Sequence, residues 1–274
     1  MPGTVIPDYP GLSRLTNRNF VVLGAGQGIG EQAAHALSQV GARILCVDLD
    51  SGRAGAIAKA VCGHPCVADV TTREGLVKVF ADARSAFGAV HGVVDIVGVA
   101  RIKQLAEFTD DDWDWQFGIV LRHAFLTLQY GAAALADSGG GVMVFVGSMA
   151  GNRVVPNQAV YGSAKAALHH LVRCAANEHA GKRIRVNAIA PGFIRTPRLE
   201  EILSPEQWRT VESRIPLQHA ATPAEIAATI LFLASDLSSH VTGQVLAVDG
   251  GLGNAAAVPD LAWGQARPPS RPAP

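Results

Sequence analysis

Between Asn19 and Val40 the chain passes from an apolar strand through a glycine turn into an amphipathic helix, and this unit restricts the fold more than any other stretch. Asn19 to Leu23 (NFVVL) reads as a short buried strand. Gly24-Ala25-Gly26-Gln27-Gly28-Ile29-Gly30 follows, and Ile29, Ala33, Ala36, Leu37 and Val40 then recur at helical spacing. Glycines permit the tight turn and let backbone approach a pyrophosphate, which rests on the helix N-terminus. Such a turn is a weak signal alone, but the next strand, Arg43 to Val47, ends in Asp48, eighteen residues after Gly30. There a carboxylate reaches the ribose hydroxyls of an adenosine. The competing role for Asp48 is to cap a helix starting near Ser51. The charge of Asp48, with Asp50 beside it, repels a 2′-phosphate, and the glycine turn carries no arginine or lysine. NAD is therefore the expected cofactor rather than NADP.

The alternation of strand and helix continues along the chain. Helices are predicted over Ala54–Val61, from a Thr71/Glu74 capping box to Phe87, from Thr109 and Asp112 through Leu135, from Tyr161 to about Ala180, after Ser204-Pro205, and after Thr222-Pro223. Between them Pro65–Ala68, Gly92–Val97, Val142–Val146, Arg185–Ala190 and Gln244–Val248 read as strands. Strands alternating with helices predict an α/β domain, doubly wound in the Rossmann manner, with a seven-stranded parallel sheet covered by helices on both faces. Residues 1–18 read as an N-terminal arm, 19–251 as the domain, and 252–274, rich in Pro and Ala, as a tail. Within that tail Leu261 and Trp263 are apolar enough to dock on a neighbouring subunit; a structureless end is the alternative.

A second constellation falls at the C-terminal end of the Val142–Val146 strand, the edge where open parallel sheets bind ligands. Ser148 stands there, and Tyr161 and Lys165 follow four residues apart, on one helix face. A free phenol has a pKa near ~10 and is a poor base at neutral pH. A neighbouring ammonium favours the phenolate, so the pair can move a proton on and off an alcohol oxygen. A tyrosine and lysine at this spacing also occur by chance on many helices.

Composition narrows the setting. The chain has 274 residues, 49% of them apolar, with 23 basic and 23 acidic side chains. Zero formal net charge gives no cause to expect nucleic acid or an anionic membrane as partner. No uninterrupted apolar run approaches the ~18 residues of a membrane span, and the N-terminus lacks a signal-peptide layout. A cytoplasmic protein is expected. Cys62-Gly63-His64-Pro65-Cys66 is only faintly like a metal loop, since four ligands are needed and no second cluster follows, so no metal is expected.

Taken together, Gly24-x-x-x-Gly28-Ile29-Gly30, Asp48, Asp69-Val70, Ser148, Tyr161-x-x-x-Lys165, Pro191-Gly192 with Thr196, and Val248-Asp249-Gly250-Gly251 resemble the short-chain dehydrogenase/reductase family over residues 19–251. The resemblance implies that Tyr161 is the general acid/base, that Lys165 lowers the tyrosine pKa and holds the nicotinamide ribose, and that Ser148 positions the substrate oxygen. It implies cofactor contacts from Gly24, Gln27, Gly28, Ile29, Gly30, Asp48, Asp69, Val70, Gly98, Pro191, Gly192, Ile194 and Thr196. The implied reaction is reversible hydride transfer between NAD and a secondary alcohol or ketone, commonly in a homotetramer, or a homodimer, packed through the helices near residues 110–135 and 160–180.

The sequence departs from that family in three places. Leu23 replaces a threonine, Asp95-Ile96-Val97-Gly98 replaces Asn-Asn-Ala-Gly, and Val120 occupies the position of a catalytic asparagine that holds a water next to the lysine. Asp95 is the candidate replacement in that relay. The three substrate loops of the family correspond to Val99–Arg101, to Met149 with Asn152–Val155, and to Phe193, Leu199, Leu203 and Trp208. Their apolar balance suggests a medium-sized substrate with an aromatic or alicyclic part. An NADPH-dependent biosynthetic ketoreductase and a catalytically weak NAD-binding regulatory protein are the alternative readings.

Overall fold

The computed structural model describes residues 6–254. In chain order they form β1 (Asn19–Leu23), α1 (Ile29–Gln39), β2 (Arg43–Asp48), α2 (Ser51–Ala60), β3 (His64–Val67), α3 (Arg73–Phe87), β4 (Gly92–Asp95), α4 (Asp110–Phe117), α5 (His123–Asp137), β5 (Gly141–Val146), α6 (Ala159–His179), β6 (Ile184–Pro191), α7 (Pro197–Ile202), α8 (Pro205–Glu212), α9 (Pro223–Ala234) and β7 (Val245–Val248). The seven strands are all parallel, in the order β3-β2-β1-β4-β5-β6-β7. The winding reverses between β1 and β4, so a crevice opens there at the C-terminal sheet edge.

Successive strand residues feed opposite faces, which explains why the strands read as unbroken apolar runs. Val21 and Leu23 of β1, with Met143 and Phe145 of β5, pack into a core with Leu76 of α3, Leu128 of α5 and Val172 of α6. Phe20 and Val22, with Val142 and Val144, pack on the other face against Leu37 of α1 and Ile230 of α9. Leu23 is fully buried in the first core, so its replacement of a polar threonine is a matter of packing.

Several local expectations shift. Asp50, not Asp48, caps α2, accepting from Arg53 N–H at 2.8 Å. Thr72, not Thr71, caps α3, because Asp69 engages both the N–H and the hydroxyl of Thr71. The capping boxes at Thr109/Asp112, Ser204/Gln207 and Thr222/Glu225 are present. The single helix expected through Leu135 is α4 and α5 joined by a π turn at Gly118–Arg122, where His123 N–H reaches back to Gly118 C=O. The run Asp110–Asp137 has the length and mean hydropathy (1.2) of a membrane span, yet half of its most apolar window is buried inside the protein. The N-terminal segment is pinned to the domain: Leu15 is fully buried, its N–H bonds Val40 C=O, and Arg18 pairs with Asp236. Leu252–Asn254 continue the domain as a 3-10 turn, whereas Leu261 and Trp263 lie outside the described residues.

Candidate active site

Ser148 leaves β5 in an extended conformation and opens a 3-10 turn over Met149–Gly151, its Oγ accepting from Ala150 N–H at 3.1 Å. In the first turn of α6, Tyr161 comes within reach of the Ser148 side chain, which favours its phenolate. One further turn brings Lys165 beneath it, with Nζ 5.8 Å from the Tyr161 ring centre and donating to Val146 C=O at 2.7 Å. The three residues predicted as a unit therefore meet at one sheet edge. Burial draws the Lys165 ammonium down to about 8, with the Asp95 charge working against it. Burial also pushes the Tyr161 phenol above its ordinary value, and only the Ser148 bond pulls it back. The expected lowering by Lys165 is not seen in the protein alone: its Nζ turns to the strand carbonyl rather than to the phenol oxygen.

The Ser148 turn is braced from below by His169, one turn beyond Lys165. His169 Nε2 accepts from Ser148 N–H at 3.4 Å, and Nδ1 meets Asn152 Oδ1 at 3.0 Å. Burial, then the Lys165 and Arg173 charges, hold His169 down to about 4, so the ring is neutral. Asn152 thus serves this brace rather than a substrate surface. Sequence reasoning missed His169, since a histidine in a helix carries no signal of what it meets across 21 residues.

The other half of the crevice is the glycine turn. Gly24 and Gly28 have φ of +78° and +59°, a region that glycine reaches without strain. A Cβ on Gly26 would stand 2.5 Å from Asp48 Oδ2, whose oxygen accepts the Gly26 N–H at 2.9 Å. Thr196 caps α7 and, with Pro197, lies against Gly28, so α7 closes over the turn. Gly192 packs on Asp249 with its N–H on Val248 C=O, and Ile194 bridges to Ala221. Gly98, at φ +153°, lies so close to Lys165 that a Cβ would come within 2.8 Å of Nζ. These features fit a dinucleotide laid from Asp48 to Lys165, with room for backbone approach where side chains would obstruct. Ile29 and Gly30 open α1 behind the turn, Gln27 is exposed on it, and Asp69 and Val70 lie in the loop that follows β3. One cation was missed: Arg53, whose Cβ stands 2.6 Å from where a Gly26 Cβ would be.

A cleft of about 720 Å³ adjoins Ser148, lined by Met149, Arg153–Pro156, Phe193, Thr210, Val211, Arg214 and Leu252–Asn254. Leu199, Leu203 and Trp208, expected there, instead pack behind it in a small core around Ile215 and Ala220, with Arg195 over the Trp208 ring at 4.5 Å. Arg101 is not a free ligand, because it pairs with Asp112 and stacks on Trp115. Lys103 also binds Asp112 and, with Arg101, holds that carboxyl well below the usual carboxylate range. Buried Gln116 clamps the first substrate loop, donating to Val99 C=O at 2.8 Å and accepting from Arg101 N–H at 2.7 Å. It stands one turn before Val120, itself fully buried. Among the described residues no cluster of three His, Cys, Asp or Glu is placed to hold a metal.

A family model described as enoyl-(acyl carrier protein) reductase matches residues 24–253. The 3-oxoacyl-acyl-carrier-protein reductase FabG of Thermotoga maritima is 36% identical over 245 residues, spanning 87% of this chain and 99% of the relative. The chain belongs to the short-chain dehydrogenase/reductase family. A second relative, galactitol 2-dehydrogenase (L-tagatose-forming) of Cereibacter sphaeroides, is also 36% identical and is covered over 98% of its length. Among solved structures, a 7α-hydroxysteroid dehydrogenase complexed with NADH and 7-oxo glycochenodeoxycholic acid superposes with a TM-score of 0.86 at 30% identity, covering 89% of this chain and 98% of that one. The protein is thus an oxidoreductase of a family whose members act on alcohols and ketones.

Proposed function

We propose that this short-chain dehydrogenase/reductase interconverts a medium-sized secondary alcohol and its ketone with NAD(H). The observation that carries the reading is the meeting of Ser148, Tyr161 and Lys165 beside the glycine-turn groove. A bound nicotinamide supplies the hydride acceptor or donor. Tyr161 gives or takes the hydroxyl proton at its phenol oxygen, Ser148 holds the substrate oxygen against it, and Lys165 supplies the positive charge that favours the phenolate. Asp48 favours NAD by charge, since it already directs its carboxylate at the turn. The largely apolar cleft supports a substrate with an aromatic or alicyclic part. Galactitol 2-dehydrogenase and the hydroxysteroid dehydrogenase support the alcohol/ketone chemistry.

One observation favours NADP instead: Arg53, a cation of the kind that pairs with a 2′-phosphate, stands against the glycine turn. Reduction of NAD and of NADP by a panel of aromatic, alicyclic and polyol secondary alcohols separates the readings. Turnover with NAD supports the proposal, turnover with NADP alone favours the second reading, and cofactor binding without turnover on the whole panel sinks the enzymatic one.

The assembly is proposed to be a homo-oligomer formed through α4–α6. An apolar hollow of about 500 Å³ lies there among Phe117, Leu121, Phe125 and Leu171. The described cysteines are all unpaired, which fits the reducing compartment of a cytoplasmic protein.

A further inference from the structure

Beside the end of β5, where Lys165 bonds Val146 C=O, lies a polar cluster that the hydride-transfer reading does not use. Asp95 ends β4, in register between Leu23 of β1 and Phe145 of β5, and is almost wholly buried. Its Oδ1 accepts from Val97 N–H at 3.0 Å and faces His123 Nε2 at 3.1 Å. His123 is equally buried, at the first position of α5, just after the π turn that carries Val120. An ionised carboxylate only accepts, so Nε2 carries the proton of this contact. Asp95 Oδ2, His123 Nδ1 and Thr127 Oγ1 are buried without a partner in the protein. Thr127 shares the His123 face of α5, one turn on. Orphaned polar atoms in an otherwise apolar core are costly, and apolar side chains of similar size would pack there more favourably. Stability therefore gives no reason for the cluster.

Lys165 gives one. It is almost wholly buried and makes one hydrogen bond, to Val146 C=O. The titratable groups around it are few. His169 is neutral, and Tyr161 is uncharged until it loses its proton. From α4 and the π turn the buried residues are Asp112, Gln116 and Val120, and Asp112 is neutralised by Arg101 and Lys103. Asp95 is the one carboxylate whose charge sustains the ammonium.

We propose that Asp95 and His123 form a positioning pair that keeps Lys165 charged beside Tyr161, Asp95 supplying the counter-charge and His123 orienting the Asp95 carboxylate. Val120 offers Lys165 only methyl groups, so the electrostatic support comes from the strand side instead. The proposal rests on Lys165 acting with Tyr161, but its test does not need a substrate.

The chain contains five lysines, so ε-13C-lysine labelling yields few resonances, and a Lys165→Arg variant assigns the one of interest. In the unmodified protein Lys165 is expected to titrate near 8. Asp95→Asn, nearly isosteric, should move that midpoint down by about one pH unit or more, the usual effect of losing an opposite charge nearby. His123→Phe should move it in the same direction, whereas His123→Gln, which keeps an N–H for Asp95, should restore it. Circular dichroism establishes folding first, and if Asp95→Asn does not fold, the Phe/Gln contrast at His123 reads the same coupling. A midpoint within about 0.3 unit of the unmodified value in a folded Asp95→Asn or His123→Phe protein overturns the proposal. Absence of alcohol turnover leaves this titration readable, so failure of the dehydrogenase reading and failure of the pair are told apart.

Discussion

Tyr161 and Lys165 are each pushed by burial toward the neutral form, the phenol upward and the ammonium downward. The Tyr161 phenol therefore keeps its proton at neutral pH. Tyr161→Phe keeps the shape and removes that proton, so turnover should fall by about 10²–10⁴-fold while NADH fluorescence still reports binding; near-normal turnover would remove Tyr161 from the chemistry. Under the NAD(H) proposal, cofactor choice turns at the same scale on two side chains. Asp48→Ala should weaken NAD and improve NADP, because it removes both the ribose acceptor and the repulsion, and Arg53 remains beside the turn. Dissociation constants for both cofactors check this, and an unchanged ratio would show that neither residue discriminates.

Among the helical elements, α4 holds the loop after β4, and it does so with side chains one turn apart. Asp112 ties down Arg101 and Lys103, Gln116 ties down Val99 and Arg101, and Val120 then faces the core within the π turn. The loop after β4 is therefore held by polar bonds from α4 even though Val120 contributes none. Gln116→Leu removes both loop bonds and leaves Val99 C=O and Arg101 N–H without partners, at a cost of about 1–3 kcal/mol. The urea midpoint should drop accordingly and the substrate KM should rise, with kcat less affected. A variant with unchanged stability and KM would mean the loop is held by other contacts.

At the level of the whole molecule, pH acts through buried groups of α6. His169 is neutral in the folded protein, held down to about 4, whereas the unfolded chain protonates it near ~6.5. Between those values the unfolded state binds the extra proton, so stability present above about 6.5 is lost as pH falls toward 4. His169→Gln should flatten the dependence of the urea midpoint over that window, even if it lowers the midpoint at pH 7 by loosening the Ser148 turn. Equal slopes in both proteins would dismiss the assignment. The apolar hollow between α4 and α6 bears on assembly: Phe125, 41% exposed, is large enough that Phe125→Glu should shift light-scattering mass toward the monomer without unfolding the chain. An unchanged mass would place the interface elsewhere.

Residues close in sequence could be read without coordinates. The apolar runs of β1 and β5 specify strands buried on two faces, Thr109/Asp112 and Thr222/Glu225 specify helix starts, and Tyr161 and Lys165 share a face because helices repeat every 3.6 residues. The glycine turn with Asp48 was legible for the same reason, as one strand–turn–helix unit with the acid at the end of the next strand. Asp95 announced that it needed a partner, being a carboxylate in an apolar strand. Which partner it found was decided only when α5 laid His123 over the end of β4, 28 residues on. The same holds for Asn152 under His169, Gln116 on the loop after β4, Arg53 beside Gly26, and Trp208 turned into its own small core. Local periodicity determines elements and the residues that share a face. Contacts between elements depend on how helices seat on the sheet, and the packing of both cores decides that.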